Sequence, residues 1–272
     1  MDKPAEKRQF AWQPLTPRGV AAFATASLGR LWLVQLVVGF LCALSVVWFV
    51  YAAWIPVVSE AIGQLPSEAE IRHAKLNWTG ASPESLGENR FLSISIDPKH
   101  EGQARSPAHV QIELGDRTVK VISLFGFVET SYPIGWRIGL SRAEAEPWWG
   151  AWMPALLAMA GAATVATLMI SWAVLGLIYL GPGWLLTFFA NRDARLAGLW
   201  QLAQAAPLPG AVFLAISIVL YGLGALDLLL LGLAAGLHLL IGWIYFVCAI
   251  LSLPVRKEVQ ASNANPFAAK HD

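Results

Sequence analysis

Polar groups are so scarce in the apolar parts of this sequence that each one present is a candidate for chemistry. Between Trp148 and Leu253 only Arg192, Asp193, Arg195 and Asp227 are charged, and Leu31–Val58 has no charge at all. His238 is the one imidazole inside these runs. An imidazole changes charge between about pH 5 and 8, and burying one in hydrocarbon is costly. If Asp227 marks a tight turn, Ser217 lies ten residues before it and His238 eleven after. At about 1.5 Å per residue both sit near the middle of a hydrocarbon core about 30 Å thick. Counting from the other spans puts Ser45 and Thr164 near that level. His238 is therefore expected to face the bundle interior and to hydrogen-bond a hydroxyl, Ser217 first. That bond can be interhelical glue, or part of a proton-linked or ligand-binding site.

Catalytic signatures are missing. The sequence has no HExxH pair, no GxSxG elbow and no Walker loop. Asp97, His100 and Glu101 are neighbours, but their spacing matches no metal-ligand pattern and reads as a solvated loop. Cys42 and Cys248 both fall in apolar runs and read as packing thiols. No catalytic residue, cofactor or metal is expected, and the chain does not read as an enzyme. A net charge of +1 argues against a nucleic-acid partner.

Hydrophobic residues at 56% against charged ones at 14% place the chain among membrane proteins. Trp32 and Trp54 bracket the first apolar run, and Trp148, Trp149 and Trp152 open the second, as interfacial aromatics do. The first run, about 28 residues, is too long for a signal-peptide core of roughly 7–15. The expected fold is an integral membrane α-helical protein with four transmembrane helices and an interfacial amphipathic helix. A small β-rich (α+β) extracytoplasmic domain lies between helices 1 and 2. The segments are a cytoplasmic stretch 1–30, span 31–58, the domain 59–147, span 148–180, the amphipathic helix 184–205, spans 208–226 and 228–253, and a disordered tail 254–272. Gly181-Pro182-Gly183 supplies the break before the amphipathic helix. Arg192 interrupts its apolar stripe, either snorkelling to lipid phosphate or forming a salt bridge with a partner.

Orientation follows from the short flanks. Lys3, Lys7, Arg8, Arg18 and Arg30 precede span one, Arg192 and Arg195 separate spans two and three, and Arg256, Lys257 and Lys270 follow span four. Four spans put all three regions on one side, which the positive-inside rule makes the cytoplasm. Both termini are expected in the cytoplasm. Ala158, Ala162 and Ala166, and the pair Gly232 and Gly236, read as close-packing surfaces within the bundle. A homodimer through Gly232 and Gly236, or another membrane-protein partner, is the alternative.

In the insert, Ser67 and Glu70 suggest a capped helix over Ser67–Lys75. Leu92, Ile94 and Ile96 alternate with Ser93, Ser95 and Asp97 as a strand, which Asp97-Pro98 ends. Gly115-Asp116 is expected to close a hairpin that pairs Ile112 with Val119, Val110 with Val121, Gln111 with Lys120 and Glu113 with Thr118. A third strand is expected over Phe127–Tyr132, with Gly126 allowing the bend.

Four stretches carry a likeness to a family. They are Leu65-Pro66 with Ile71 to Leu76, Phe91–Asp97, Arg192–Pro209, and the apolar hairpin ending near Trp243–Ile250. With them the chain resembles uncharacterised bacterial four-span membrane proteins that carry an extracytoplasmic insert and look distantly like the Yip family. It departs at His73-Ala74-Lys75, where that pattern has an acidic residue and glycine. The resemblance implies no known chemistry and is consistent with a scaffold or membrane-organising role. The expected function is thus a non-catalytic membrane scaffold or sensor that binds through its outer domain. The alternative is a small transporter, or a transporter subunit, with a midplane polar site around His238.

Overall fold

The computed structural model describes residues 13–256. Among them, four helices are long and apolar enough to cross a membrane. The chain divides into two compact units. One holds the described residues up to Ser45 with Gly161–Tyr221 and the described residues from Leu229 onward; the other holds Val46–Ala160 and Gly222–Leu228.

The first unit is helical. It begins with α1 (Pro17–Ala22), capped by Thr16, whose hydroxyl accepts from Gly19 N at 3.1 Å. A short 3-10 turn, Phe23–Thr25, follows. Then come α2 (Leu28–Phe49), the later part of α4 (Arg142–Phe189), α5 (Leu196–Ala205), α6 (Leu208–Gly222) and α7 (Leu228–Leu251). Leu31, Val34, Gln35, Val38 and Cys42 bury one face of α2 at helical spacing, and Trp172, Gly176, Tyr179, Gly183 and Thr187 do the same for α4.

The break at Gly181-Pro182-Gly183 does not occur, because α4 runs straight through it. Proline there removes one backbone donor, a loss that apolar helices accommodate. Gly183 serves packing instead: a Cβ on it would stand 2.7 Å from Phe246 Cζ and 3.2 Å from a Leu199 methyl. The helix stops at Phe189. Asn191 takes the left-handed conformation (φ 53°). Asn191 N then donates to Phe188 O at 3.2 Å and Arg192 N to Thr187 O at 2.8 Å, a Schellman end.

The expected span 148–180 therefore becomes Arg142–Phe189, about 72 Å long at 1.5 Å per residue. The expected amphipathic helix 184–205 is split. Its first part belongs to α4, and its second, α5, is a core element with Leu199, Leu202 and Ala203 at 0–1% exposure. Gly198 lets it lie against the first turns, since a Cβ would fall 2.3 Å from Ala24 O. The expected span 208–226 becomes Leu196–Gly222, α5 continuing into α6, so it both starts and ends earlier, and the expected span 228–253 ends at Leu251. Pro209 sits in the first turn of α6, where no donor is needed. Among the described residues nothing packs closely on the small-residue stripes. Ala158, Ala162 and Ala166 are exposed, and neither Gly232 nor Gly236 has any atom within 4 Å of a built Cβ.

The second unit contains the last turn of α2, a π turn at Val50–Trp54, α3 (Ile55–Gly63), eight strands and the start of α4. The expected span 31–58 thus begins at Leu28 and continues to Gly63. Pro56 cannot donate a bond in the next turn, and Ile55 N reaches back to Val50 O. A three-stranded sheet has the order β2-β1-β8, from β1 (Glu70–Arg72), β2 (Lys75–Asn77) and β8 (Arg137–Gly139). The expected helix over Ser67–Lys75 is absent. His73 and Ala74 both take positive φ (55° and 57°), and Ile71 pairs with Leu76 on one side and Ile138 on the other. Two strand neighbours outweigh one local capping box.

The five-stranded sheet is β3-β4-β5-β6-β7, from β3 (Glu84–Glu88), β4 (Leu92–Ile96), β5 (Val110–Leu114), β6 (Thr118–Ser123) and β7 (Gly126–Ser131). The expected strands over Leu92–Ile96 and from Gly126 onward are present. The hairpin register differs by two residues: Ile112 faces Val121, Glu113 faces Lys120 and Gln111 faces Ile122. The loop is Asp116-Arg117, closed by Gly115 N to Thr118 O at 2.9 Å. Asp116 N donates to Pro98 O at 2.9 Å and its carbonyl accepts from Leu76 N at 2.8 Å. Tertiary partners thus choose the loop residues.

The two glycines flanking Pro182 give a paired test. Gly183→Val should destabilise by about 1–3 kcal/mol through overpacking. Gly181→Ala, with no atom within 4 Å of its Cβ, should be neutral or slightly stabilising. Thermal unfolding in detergent checks both, and equal losses would refute the packing role.

Candidate functional site

The five-stranded sheet has an apolar face and a polar face, and both are covered over β4 and β5, whereas β7 is exposed along its length. Ile94, Ile96, Leu114 and Val119 join Ala61, Ile71, Leu76, Leu86 and Tyr132 in one core. The other face carries Ser93, Ser95, Asp97, Gln111 and Glu113, all under 5% exposed. Residues 97–109 run across it from β4 to β5.

That covering segment is fastened by side chains. Gly102 N donates to Asp97 Oδ2 at 2.8 Å, Gln111 Nε2 donates to Ala104 O at 2.8 Å, and Ser106 N donates to Gln111 Oε1 at 3.3 Å. His100, itself at positive φ, places Nδ1 on the Glu113 carboxylate and Nε2 2.8 Å from Thr118 Oγ1. The segment around Asp97 and His100 is therefore not a solvated loop, although Glu101 is exposed.

Hydroxyl, imidazole and carboxylate in this order can activate a nucleophile. Gly115 packs closely on the ring, and a Cβ there would stand 2.2 Å from Nε2. The imidazole satisfies Glu113 and Thr118 and locks the segment down. Among the described residues no three His, Cys, Asp or Glu side chains are grouped to hold a metal ion. Burial first, then the Asp116 carboxylate, push the Tyr132 phenol well above its ordinary range. It therefore stays protonated and donates to Gly115 O at 2.9 Å.

A second constellation lies at the β3–β4 connection. Asn89 Nδ2 donates to Ala53 O in the π turn at 2.6 Å, and Asn89 Oδ1 accepts from Phe91 N and Leu92 N. Arg90 reaches the α6–α7 connection, donating from Nη2 to Leu226 O at 3.0 Å and from Nη1 to Gly224 O at 3.4 Å. Phe91 packs edge-on against Phe49 at 5.3 Å and His109 at 5.9 Å. Burial first, then the Arg90 guanidinium, lower the His109 pKa, while the Asp227 carboxylate opposes them. Sequence reasoning missed this joint, because nothing in Asn89-Arg90 singles it out before the connections are brought together.

In the helical unit the expected residues are not gathered. His238 Nδ1 bonds Ala235 O in its own helix, and Ser217 donates to Phe213 O at 2.9 Å, so the expected His238–Ser217 bond is absent. The error lies in the depth count. Helix α6 ends at Gly222 and α7 starts at Leu228, leaving a connection that a turn at Asp227 ignores. Gly210, not Ser217, stands level with His238: its Cβ would fall 2.2 Å from His238 O. Thr164 lies half-buried on α4. Arg192 lies past the end of α4 and uses its guanidinium within the chain. It donates to Leu253 O at 2.8 Å, and Asp193 N to Pro254 O and Arg256 N to Asn191 O extend the same clasp.

The buried polar pair is Gln35 and Gln204, 1% and 2% exposed. Gln35 Nε2 donates to Gln204 O at 3.3 Å, while Gln204 Nε2 and Trp200 Nε1 are buried without a partner. Both residues lie against Gly176, whose Cβ would be 2.6 Å from Gln204 Cγ and 3.1 Å from Trp200 Nε1. Gln204 falls where amphipathic patterning places a solvent-facing residue, and only the burial of α5 reverses that.

Compared with protein-family models, with curated proteins and with solved structures, the chain gives no match.

A lowered histidine pKa means that the folded protein binds fewer protons than the unfolded chain. The His109 contribution is therefore complete above the ordinary value of about 6.5 and is lost as pH falls through the lowered one. The unfolding midpoint should drop between about pH 7 and pH 5, and His109→Gln should flatten that drop. Parallel profiles for the two proteins would exclude His109 as a source.

Proposed function

We propose that this chain is a non-catalytic, multi-pass protein of the bacterial inner membrane, with both termini in the cytoplasm. Its β-rich insert lies outside and binds or senses there, while the helices anchor it. The observation that carries this reading is the joint at Asn89-Arg90. It ties the sheet to the π turn within the first apolar helix and to the α6–α7 connection. A binding event on the sheet then has a hydrogen-bonded route to membrane-spanning elements. The basic flanks support the orientation, and the likeness to four-span, distantly Yip-like proteins supports a scaffold or membrane-organising role. Gly232 and Gly236, unoccupied within the chain, suit a homodimer or another membrane-protein partner.

The alternative is a small transporter or transporter subunit. The observation favouring it is the orphaned amide of Gln204 beside Gln35 and Trp200, which replaces His238 as the polar site at depth. A transporter needs groups of this kind within its spans.

Fusions decide the orientation. A cytoplasm-dependent reporter should be active after Lys270 or beside Arg195, and an export-dependent one at Gly102; cytoplasmic activity at Gly102 would overturn the assignment. Proteoliposomes decide between the readings. The sensor reading expects no uptake of amino acids, sugars or inorganic ions, whereas uptake abolished by Gln204→Leu would favour the transporter.

A further inference from the structure

Large apolar side chains stand almost bare at the β6–β7 hairpin, as do Ile134 and Trp136 in the β7–β8 connection. Leu124 and Phe125, the two loop residues, are 66% and 95% exposed, and Phe127 and Val128 behind them are 63% and 70% exposed. Ser123 pairs with Gly126, and Gly126 at φ 113° makes the tight reversal. Large apolar groups left in water at this level mark a surface that something covers.

The sheet register says which end of the insert this tip occupies. Ser123 pairs with Val110, and Val110 pairs in parallel with Leu92. Leu92 follows directly on Asn89, Arg90 and Phe91, which hold the π turn and the α6–α7 connection. The tip therefore points from the same end of the sheet as the joint to the helix ends. Three strand steps separate β4 from β7, about 14 Å at 4.8 Å each. That offset sets the tip to one side of the joint.

The side-chain pattern selects the occupant. Successive strand residues point to opposite faces, so Phe127 and Val128 make the hairpin apolar on both faces and at its tip. A protein partner docking on a sheet covers one face or pairs with one edge, whereas a wedge that is apolar all round suits hydrocarbon. The first charged pair above the tip is Lys120 opposite Glu129, and the Lys120 ammonium reaches back over the Phe127 ring, 4.5 Å from its centroid. The charge-free part is therefore the tip itself, Leu124 and Phe125, which fits the about 5–10 Å to which interfacial elements bury an apolar face and leaves the ammonium at headgroup level.

We propose that the Leu124-Phe125 tip of the β6–β7 hairpin inserts into the outer leaflet and sets the insert against the bilayer as a second contact beside the helices. The proposal rests on the membrane reading above, and the experiment separates the two. Cys42 and Cys248 are replaced by alanine in the full chain, and an environment-sensitive fluorophore is attached singly at Phe125→Cys, Phe40→Cys or Lys99→Cys. Each protein is reconstituted in phosphatidylethanolamine–phosphatidylglycerol vesicles with and without acyl-chain spin-labelled lipid. Phe40, exposed on α2, reports the span, and Lys99, on the segment leaving the far end of β4, reports water. Emission at position 125 should be roughly halved by the spin label, as expected for insertion to interfacial depth; position 40 should be quenched and position 99 unaffected. Quenching at 40 without quenching at 125 overturns the tip insertion and leaves the spans standing. No quenching at either position overturns both. Disulfide-linked dimers of unlabelled Phe125→Cys would assign the tip to a second copy of the chain and overturn the proposal.

Discussion

Two adjacent parallel strands cannot be joined by a tight turn, so the chain leaving β4 at Ile96 must travel back the length of the strand before entering β5 at Val110. That return has to cross one face of the sheet, and the face it crosses is the polar one. Ser93, Ser95, Asp97, Gln111 and Glu113 are buried as a result, and a buried polar group without a partner is costly. The covering segment supplies partners for Asp97, Gln111 and Glu113 through Gly102 N, Ala104 O, Ser106 N and the His100 ring. Ser95 Oγ accepts from Gln111, and Ser93 Oγ is left buried without a partner among the described residues. The same parallel pairing decides polarity along the sheet. It brings the β3–β4 connection and the β6–β7 tip to one end, so Arg90 and Phe125 share a direction although they are far apart in sequence.

The helical unit obeys a different constraint, the distance of closest approach between backbones. Gly183 against Phe246, Gly198 against Ala24 and Gly210 against His238 each occupy a place where a Cβ would collide. These contacts hold α5 inside the unit, and they explain why Gln204 is buried although its sequence position suggests a solvent-facing side chain. The unpaired amide that results is a cost in an apolar interior, and it is the feature of this unit that packing alone does not explain.

Within each unit the sequence carries polar groups whose work is to fasten chain segments. Arg192 clasps the residues after α7 to those after α4, and Asn89 uses a carbonyl at a π turn, where the regular helical pattern is interrupted. Arginine and asparagine act here as multidentate donors to backbone carbonyls. Their exposure to solvent or membrane would have been the simpler reading of the sequence.

Composition and periodicity by themselves determined that four helices would be long and apolar, that a β-rich insert would separate the first two, and that Leu92–Ile96 and the region after Gly126 would be strands. These features are local, because a run of side chains of one character dictates them whatever the neighbours do. The tertiary structure alone decided where α4 ends, since a proline flanked by glycines is compatible with either a turn or a packed helix, and the Phe246 and Leu199 contacts select the latter. It decided the β5–β6 register through Asp116's bonds to Pro98 and Leu76, and it turned Ser67–Lys75 from a plausible capped helix into paired strands. It also separated His238 from Ser217, because depth along two helices depends on the length of the connection between them, which hydropathy does not measure. Long-range backbone partners made each of these choices, and no window of neighbouring residues contains them.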